Sequence, residues 1–546
     1  MNKIKLYIGL CILILSGFIA YGLFTMPRVK ALDSEKFSAE RVAGDIKVIS
    51  KEPHSIEHPF AREKVREYLA GKLQNFGGDP QIFPYDSIAS KFGGHFDIAN
   101  VYCDFPATNG SGSYVLLVAH YDSRFAQNVL GKTVYSFGAA DDGYGVGVIL
   151  ELLNCALKYR DQWSQGIKIL FTDSEEHELD GAKMAMANER AIFEGVNFVI
   201  NIEARGVKGP ALLFETSQGN RELMKLYKKA SFPYTYSLTT FVYNFLPNFT
   251  DFTELKKELP GYNFSVIDNL HYYHTDKDNF SNISLRSIQH YGSQLEPVMK
   301  EYLCNSKYAA EDIFRSQEDS IFFTIPLLGL FSFSKSVYMW LNIITLVLFA
   351  VVIFKSLRSF KFTDLLKRAA KFLFIGLIVI LVGEGIAFLA AKIAGTPFNI
   401  TSTKFIYTDW IIIIASFVLL AVYLLVANRK RGSKSVQGLL NLLSVNLLLA
   451  IFSGVMFFTM NGENFFFMIP LLLSLLALIY INPATSLIAV IINSLLGFSF
   501  LYCLITALSI GSLGIVLFIG MFYLQITISL FDCYLNAKNW RKESYY

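Results

Sequence analysis

Between residues 38 and 307 short apolar runs alternate with amphipathic segments, and beyond about residue 320 that alternation gives way to long uncharged stretches. In the first region, Ser38-Ala-Glu-Arg-Val opens a helix on a hydroxyl N-cap, and Ala61 to Phe76 forms a second helix that stops at Gly77-Gly78. Runs at Asp97–Tyr102, Tyr114–Val118, Ile167–Phe171 and Phe198–Ile202 read as strands, with a helix from Gly145 to about Tyr159 between the second and the third. Strands separated by helices predict an α/β domain with a mostly parallel central sheet and helices on both faces. In such a sheet the functional crevice lies at the carboxyl ends of the strands.

The long apolar stretches predict a polytopic α-helical membrane domain. Ile4 to about Phe24, flanked by Lys3 and Lys5, is long enough to cross a bilayer and reads as an uncleaved anchor. Further spans are expected at about 337–355, 372–394, 410–427, 437–459, 465–481, 485–506 and 511–532, about eight with the first. The run Ile321–Phe333, interrupted by Pro326, is too short for a span and reads as interfacial or as a last piece of the soluble domain. The expected division is an anchor at 1–30, the α/β domain at 38–307, a connector at 308–336, a membrane domain at 337–533 and a cytoplasmic tail at 534–546.

Charge orients these spans. Lys355, Arg358, Lys361, Lys367, Arg368 and Lys371 fill one loop, Arg429, Lys430, Arg431 and Lys434 a second, and Lys538, Arg541 and Lys542 the tail. With seven spans after the domain, all three face one side, which the positive-inside rule makes cytoplasmic. The 38–307 domain is then extracytoplasmic: in the periplasm or outside the cell in a bacterium, in a lumen in a eukaryote. A hydrophobic fraction of 53% with 17% charged residues is too apolar for a soluble protein, and a net charge of +4 without a basic stripe argues against a nucleic-acid partner. Glu384 is the one obvious acid within a span, and no sequence neighbour pairs with it. Of Cys103, Cys155 and Cys304 in the exported part, Cys103 and Cys155 are the pair considered for a disulfide, whose geometry the sequence does not establish.

The polar residues of the α/β region fall where the strands end. The second strand runs into His120-Tyr-Asp122, a glycine-bounded turn Gly138-Ala-Ala-Asp141-Asp142-Gly-Tyr-Gly145 follows, the third strand runs into Glu175-Glu176, and the fourth into Glu203. His274 follows later, in His274-Thr-Asp-Lys-Asp278. Four carboxylate-bearing turns on one rim repel one another, and burying such charges costs several kcal/mol each unless a cation compensates them. Imidazole and carboxylate without thiolate suit Zn²⁺, with Mn²⁺ or Co²⁺ as alternatives. Two histidines and three or four carboxylates are enough for two ions, ~3.5–4 Å apart if they share a carboxylate. Adjacent glutamates leaving a strand point in different directions, so one can hold metal while the other acts as a base.

His120-x-Asp122, Gly138-Ala-x-Asp141-Asp142-x-x-Gly145, Glu175-Glu176, Glu203 and His274-Thr-x-x-Asp278, in this order, resemble the di-zinc aminopeptidase family that also contains the glutaminyl cyclases. The flanking spans, together with Thr250-Asp251-Phe252 and Leu259-Pro-Gly261, resemble its membrane-bound branch of endoplasmic-reticulum and vacuolar metallopeptidases. The resemblance implies two Zn²⁺ per chain, bridged by Asp141, with His120 and Glu203 completing one site and Glu176 and His274 the other. It implies Glu175 as general base, Asp122 as the group that orients His120, and a cis peptide between Asp141 and Asp142. The implied activity is that of a membrane-bound metallo-exopeptidase, an aminopeptidase acting on peptides. The alternatives are a glutaminyl-cyclase-like acyltransferase with a single zinc and a non-catalytic peptidase-like receptor or transporter. The chain departs from the family pattern at Glu203, where many relatives carry Asp, at His177-Glu178, and at Tyr144, where Ser is common.

Overall fold

A computed structural model describes residues 3–22, 26–129, 131–244, 248–400, 407–429 and 435–544. The chain forms two compact units, one of residues 26–322 and one of residues 1–25 with 323–546.

The first unit is built on a seven-stranded sheet. Its strands are β1 (Gln81–Ala89), β2 (His95–Phe105), β3 (Tyr114–His120), β6 (Gly166–Thr172), β7 (Val196–Ala204), β8 (Leu212–Thr216) and β9 (Gly261–Val266), in the order β1-β2-β6-β3-β7-β9-β8. A small hairpin, β4 (Gln127–Val129) with β5 (Lys132–Val134), stands apart from it. The four central strands β6, β3, β7 and β9 are parallel, and β2, β1 and β8 extend the two sides through antiparallel pairings. Full burial explains the near-continuous apolar runs of the centre: every residue of β6, β7 and β9 is buried. Helices Ala39–Ile49, Gly143–Leu157 and Leu285–Cys304 pack together, with the second of them against β3 and β7, while Asp180–Asn188 and Asp251–Leu255 pack together against β2, β3 and β7. The second group closes a core of Leu116, Val118, Leu170, Val199, Phe252 and Leu255. Cys103 and Cys155 are free and buried, so the disulfide option is not taken: the Cys103 sulfur lies against Gly78, and that of Cys155 faces Glu151 at 3.4 Å.

In the second unit six helices are long and apolar enough to cross a membrane: Lys335–Ser356, Phe362–Ile393, Asp409–Asn428, Val436–Thr459, Pro483–Leu508 and Ile510–Lys538. Two of the eight expected spans are shorter helices among the described residues, Tyr7–Ala20 and Phe465–Ile479. At 1.5 Å per residue the second of these reaches only roughly 22 Å, against a hydrocarbon core of about 30 Å. Phe24, Lys430, Arg431 and Lys434 lie outside the described residues. A two-stranded sheet of β10 (Ser320–Ile325) and β11 (Gly329–Ser334) occupies the segment read as interfacial.

Within the bundle, small residues let helices approach: a Cβ on Gly383 would stand 2.5 Å from the Cα of Gly514. Asn464 accepts from Tyr338 Oη at 2.7 Å and donates to Asn342 at 2.7 Å and to Ser453 Oγ at 2.8 Å. Glu384 accepts the Gly514 N–H at 3.1 Å, next to the start of the helix at Leu513. Its partner is therefore the positive end of a helix rather than a basic side chain.

Candidate metal centre

The carboxyl ends of the parallel strands place the polar residues. His120 ends β3, Glu175 and Glu176 open the short turn of helix that follows β6, Glu203 lies at the end of β7, and His274 follows β9. Asp141 sits in the turn before the helix Gly143–Leu157, where the Asp141–Asp142 peptide is cis. That turn depends on two glycines. Gly138 has φ +63°, and a Cβ on Gly145 would meet the Asp142 carboxylate at 2.3 Å, the carboxylate that caps the helix by accepting the Gly145 N–H at 2.9 Å.

Two groups of three result. One ligand atom from each of His120, Asp141 and Glu203 lies within 4.8 Å of the others, and the same holds for Asp141, Glu176 and His274. Asp141 belongs to both, with Oδ1 3.3 Å from His120 Nε2 and Oδ2 3.3 Å from His274 Nε2. His120 Nε2 is 3.5 Å from Glu203 Oε2, and His274 Nε2 is 3.2 Å from Glu176 Oε2. His271, three residues before His274, belongs to neither group.

The donor set fits a cation. Asp141 Oδ2, Glu176 Oε1 and His274 Nε2 are buried atoms without a hydrogen bond, a state rare for polar atoms unless an ion or water satisfies them. Burial works against a charged His120, yet Asp122, Asp141 and Glu203 outweigh it and raise its pKa well above the usual imidazole range. Burial pushes the carboxyls of Glu175 and Glu203 up, with neighbouring carboxylates adding to the shift. Glu176 is held well below the usual range: burial opposes its ionisation, and His274 and Arg124 overcome it. The site thus holds more negative charge than its side chains neutralise, and imidazole with carboxylate suits Zn²⁺.

Asp122 sits beneath the acidic turn. Its Oδ1 accepts the Glu175 N–H at 3.0 Å and its Oδ2 the Glu176 N–H at 3.4 Å. His120 Nδ1 bonds to the main-chain oxygen of Asp122 at 3.0 Å and lies 3.4 Å from its carboxylate.

Several contributors carried no role in the sequence reading. Asp278 Oδ1 accepts the Ala140 N–H at 2.7 Å, and its Oδ2 accepts from Ser136 Oγ at 3.0 Å and from the Asp141 N–H at 3.3 Å, so it holds the turn that presents Asp141. Arg124 Nη1 bonds both the carboxylate and the carbonyl of Glu176 at 2.8 Å, with its guanidinium stacked 4.1 Å from the Phe125 ring centre. Asp251 accepts from Thr172, and burial with the nearby Glu203 charge pushes its pKa up to about 7. The pattern His-x-Asp-Ser-Arg and the Thr-Asp-Phe segment were visible signals for Arg124 and Asp251; the Asp278 contacts link turns too far apart in sequence to be read. His177, one of the departures from the family pattern, is buried and paired with Asp180 at 2.7 Å.

Residues 100–299 match the model of Peptidase family M28. Among curated proteins, the chain is 26% identical over 284 residues to endoplasmic reticulum metallopeptidase 1 of Mus musculus, covering 50% of this chain and 30% of that one. It is 27% identical over 321 residues to the vacuolar membrane protease of Candida tropicalis, covering 56% of this chain and 33% of that one. The chain therefore spans about a third of the length of these curated relatives. Among solved structures, a Zn-dependent exopeptidase from Parabacteroides distasonis gives a TM-score of 0.40 at 19% identity, covering 48% of this chain and 98% of that one. The glutaminyl cyclase of Porphyromonas gingivalis gives 0.41 at 19%, covering 50% of this chain and all of the other. The segment that carries every ligand candidate, residues 100–299, is thus a match to peptidase family M28.

Proposed function

We propose that this chain is a membrane-bound di-zinc exopeptidase, an aminopeptidase that hydrolyses peptides on the extracytoplasmic side. The observation that supports it most is the Asp141 carboxylate, shared by two ligand groups with one oxygen turned to each histidine. His120, Asp141 and Glu203 would hold one ion, and Asp141, Glu176 and His274 the other. Zinc bound there supplies Lewis acidity, which lowers the pKa of water and polarises a carbonyl.

The remaining work falls to the chain. Asp122 holds the Glu175 main chain, Glu176 turns toward His274, and the Glu175 carboxyl couples electrostatically to His120, Glu203 and Glu176. A carboxylate oxygen of Glu175 takes the proton of the attacking water and returns it to the leaving amine nitrogen, and burial that raises its pKa strengthens it as the base for the first of these transfers. Arg124 offsets the charge of Glu176 and fixes its orientation.

The orientation in the membrane rests on the three basic segments. They share one side only if the short helix Phe465–Ile479 completes a crossing with the turns that flank it. The deciding experiment measures bound metal per chain together with hydrolysis of an aminoacyl reporter. Two zinc ions with chelator-sensitive hydrolysis support the proposal, and a single zinc at saturation moves the reading to a cyclase-like acyltransferase.

A further inference from the structure

A line of polar side chains crosses the interior of the sheet and ends on Glu203. Asn201 lies two residues before Glu203 on β7 and so on the same face. In the strand register Asn201 pairs with Asn263 of β9, which in turn pairs with Glu215 of β8. Asn201 Nδ2 donates to Glu203 Oε1 at 3.1 Å and to Asn263 Oδ1 at 3.0 Å, and Asn263 Nδ2 donates to Glu215 Oε2 at 2.9 Å. Lys256, partly exposed, ion-pairs with the other oxygen of Glu215.

The chemistry of the ends fixes the sense of this line. A carboxylate only accepts, so Asn263 must turn its amide N–H group to Glu215 and its oxygen to Asn201. Asn201 must then turn its own N–H group both to that oxygen and to Glu203. Asn201 and Asn263 have no exposed surface, in strands whose other positions are mostly apolar. Polar groups buried there carry a cost that only hydrogen bonding offsets. The result at Glu203 is specific: Oε1 is occupied by Asn201, and Oε2 is the oxygen that lies 3.5 Å from His120 Nε2.

We infer that Asn201 is a positioning residue that makes Glu203 present a single oxygen to the metal cluster, and that Asn263, Glu215 and Lys256 lock Asn201 in that orientation. The inference rests on the two-metal reading. It assigns the line to one ion, the one held with His120, and leaves the ion held with His274 untouched.

The test titrates metal-free, full-length protein with Co²⁺, following the visible absorption bands and the metal bound per chain. Wild type takes up two ions. Asn201→Leu is expected to bind one of them about 10–100-fold more weakly, with a shifted band, while the other keeps its affinity and spectrum. Lys256→Met, at the partly exposed end, is expected to weaken the same ion in the same direction by less, and the double variant to be no weaker than Asn201→Leu alone. A purely structural role for the line would leave both bands in place. Two ions bound by Asn201→Leu as by wild type, or both weakened equally, overturns the inference and leaves the two-metal reading standing. Wild type that takes up fewer than two ions overturns both. If Asn201→Leu does not fold, Lys256→Met decides: one ion weakened supports the inference, and neither weakened overturns it.

Discussion

The carboxylate of Asp278 accepts the backbone N–H of Asp141 at 3.3 Å. One buried acid thereby holds the main chain of another, and two further bonds to Ala140 and Ser136 complete the grip. Asp278→Asn removes an acceptor oxygen and sets an N–H group against those donors. Metal affinity is expected to fall by about 10–100-fold with the fold retained. Metal titration paired with a thermal melt of the metal-free protein checks it: unchanged affinity would show that the turn needs no such support.

The paired glutamates should separate base from ligand. Glu175→Gln keeps the shape and removes the proton acceptor, so turnover is expected to drop by about 10²–10⁴-fold while metal content stays near wild type. Glu176→Gln is expected to lose one ion, because it alters a member of the His274 group. Ordinary activity in Glu175→Gln would refute the assignment of the base.

Asp141 belongs to both ligand groups, whereas each histidine belongs to one. Asp141→Asn is therefore expected to bind markedly less total metal than His120→Ala or His274→Ala. Metal analysis of the three purified variants decides the matter, and equal losses in all three would argue against a shared ligand.

Topology gives a prediction independent of the chemistry. With the basic segments cytoplasmic, the domain of residues 38–307 is expected to be open to added protease in right-side-out vesicles. Protection until the vesicles are lysed would reverse the orientation.

Acid sensitivity should have an identifiable contributor outside the metal centre. Burial lowers the pKa of His290 to about 4, with the charge of Arg286 adding to the effect and the Phe232 carbonyl opposing it. Unfolded histidine titrates near ~6.5. The unfolded chain therefore binds a proton between these values that the native chain does not, and the stability is fully present above ~6.5 and is lost as pH falls toward the folded value, by about 3 kcal/mol if the transition is complete. His290→Gln retains an acceptor for the Ala211 N–H and a donor for the Phe232 carbonyl. Melts of the metal-free protein at pH 7 and pH 5 should show a smaller loss in the variant than in wild type. Equal losses would remove His290 from the account.

The sequence made some parts of this arrangement legible and hid others for physical reasons. Apolar runs located β3, β6 and β7 to within two residues, because strands buried on both faces leave a continuous hydrophobic trace. The strand β1 escaped notice: it lies at the sheet edge, contains Pro84 and Asp86, and is largely exposed. The strand β9 was hidden by Asn263 and Ser265, buried polar residues whose partners only the fold supplies: Asn263 bonds Glu215 on β8, and Ser265 accepts the Arg205 N–H and donates to the Val266 carbonyl. Ligand candidates could be read from residue type and position at strand ends. Of the residues around them, Asp122 came with the resemblance and Arg124 left a visible pattern, whereas the contacts of Asp278 with Asp141 and of Asn201 with Asn263 join positions that only folding brings together. Glu384 shows the same limit, since its partner is a main-chain N–H far along the chain.

The five ligand candidates come from five separate stretches between His120 and His274, and one chain segment supplies no more than one of them. The His120 group draws on residues about 80 positions apart, from His120 to Glu203, and the His274 group on residues about 130 apart, from Asp141 to His274, so each closes only across a wide loop. Ion binding at either group would therefore depend on the long-range topology of the domain. A chain cut before His274 would keep the three residues of the first group and lack one member of the second.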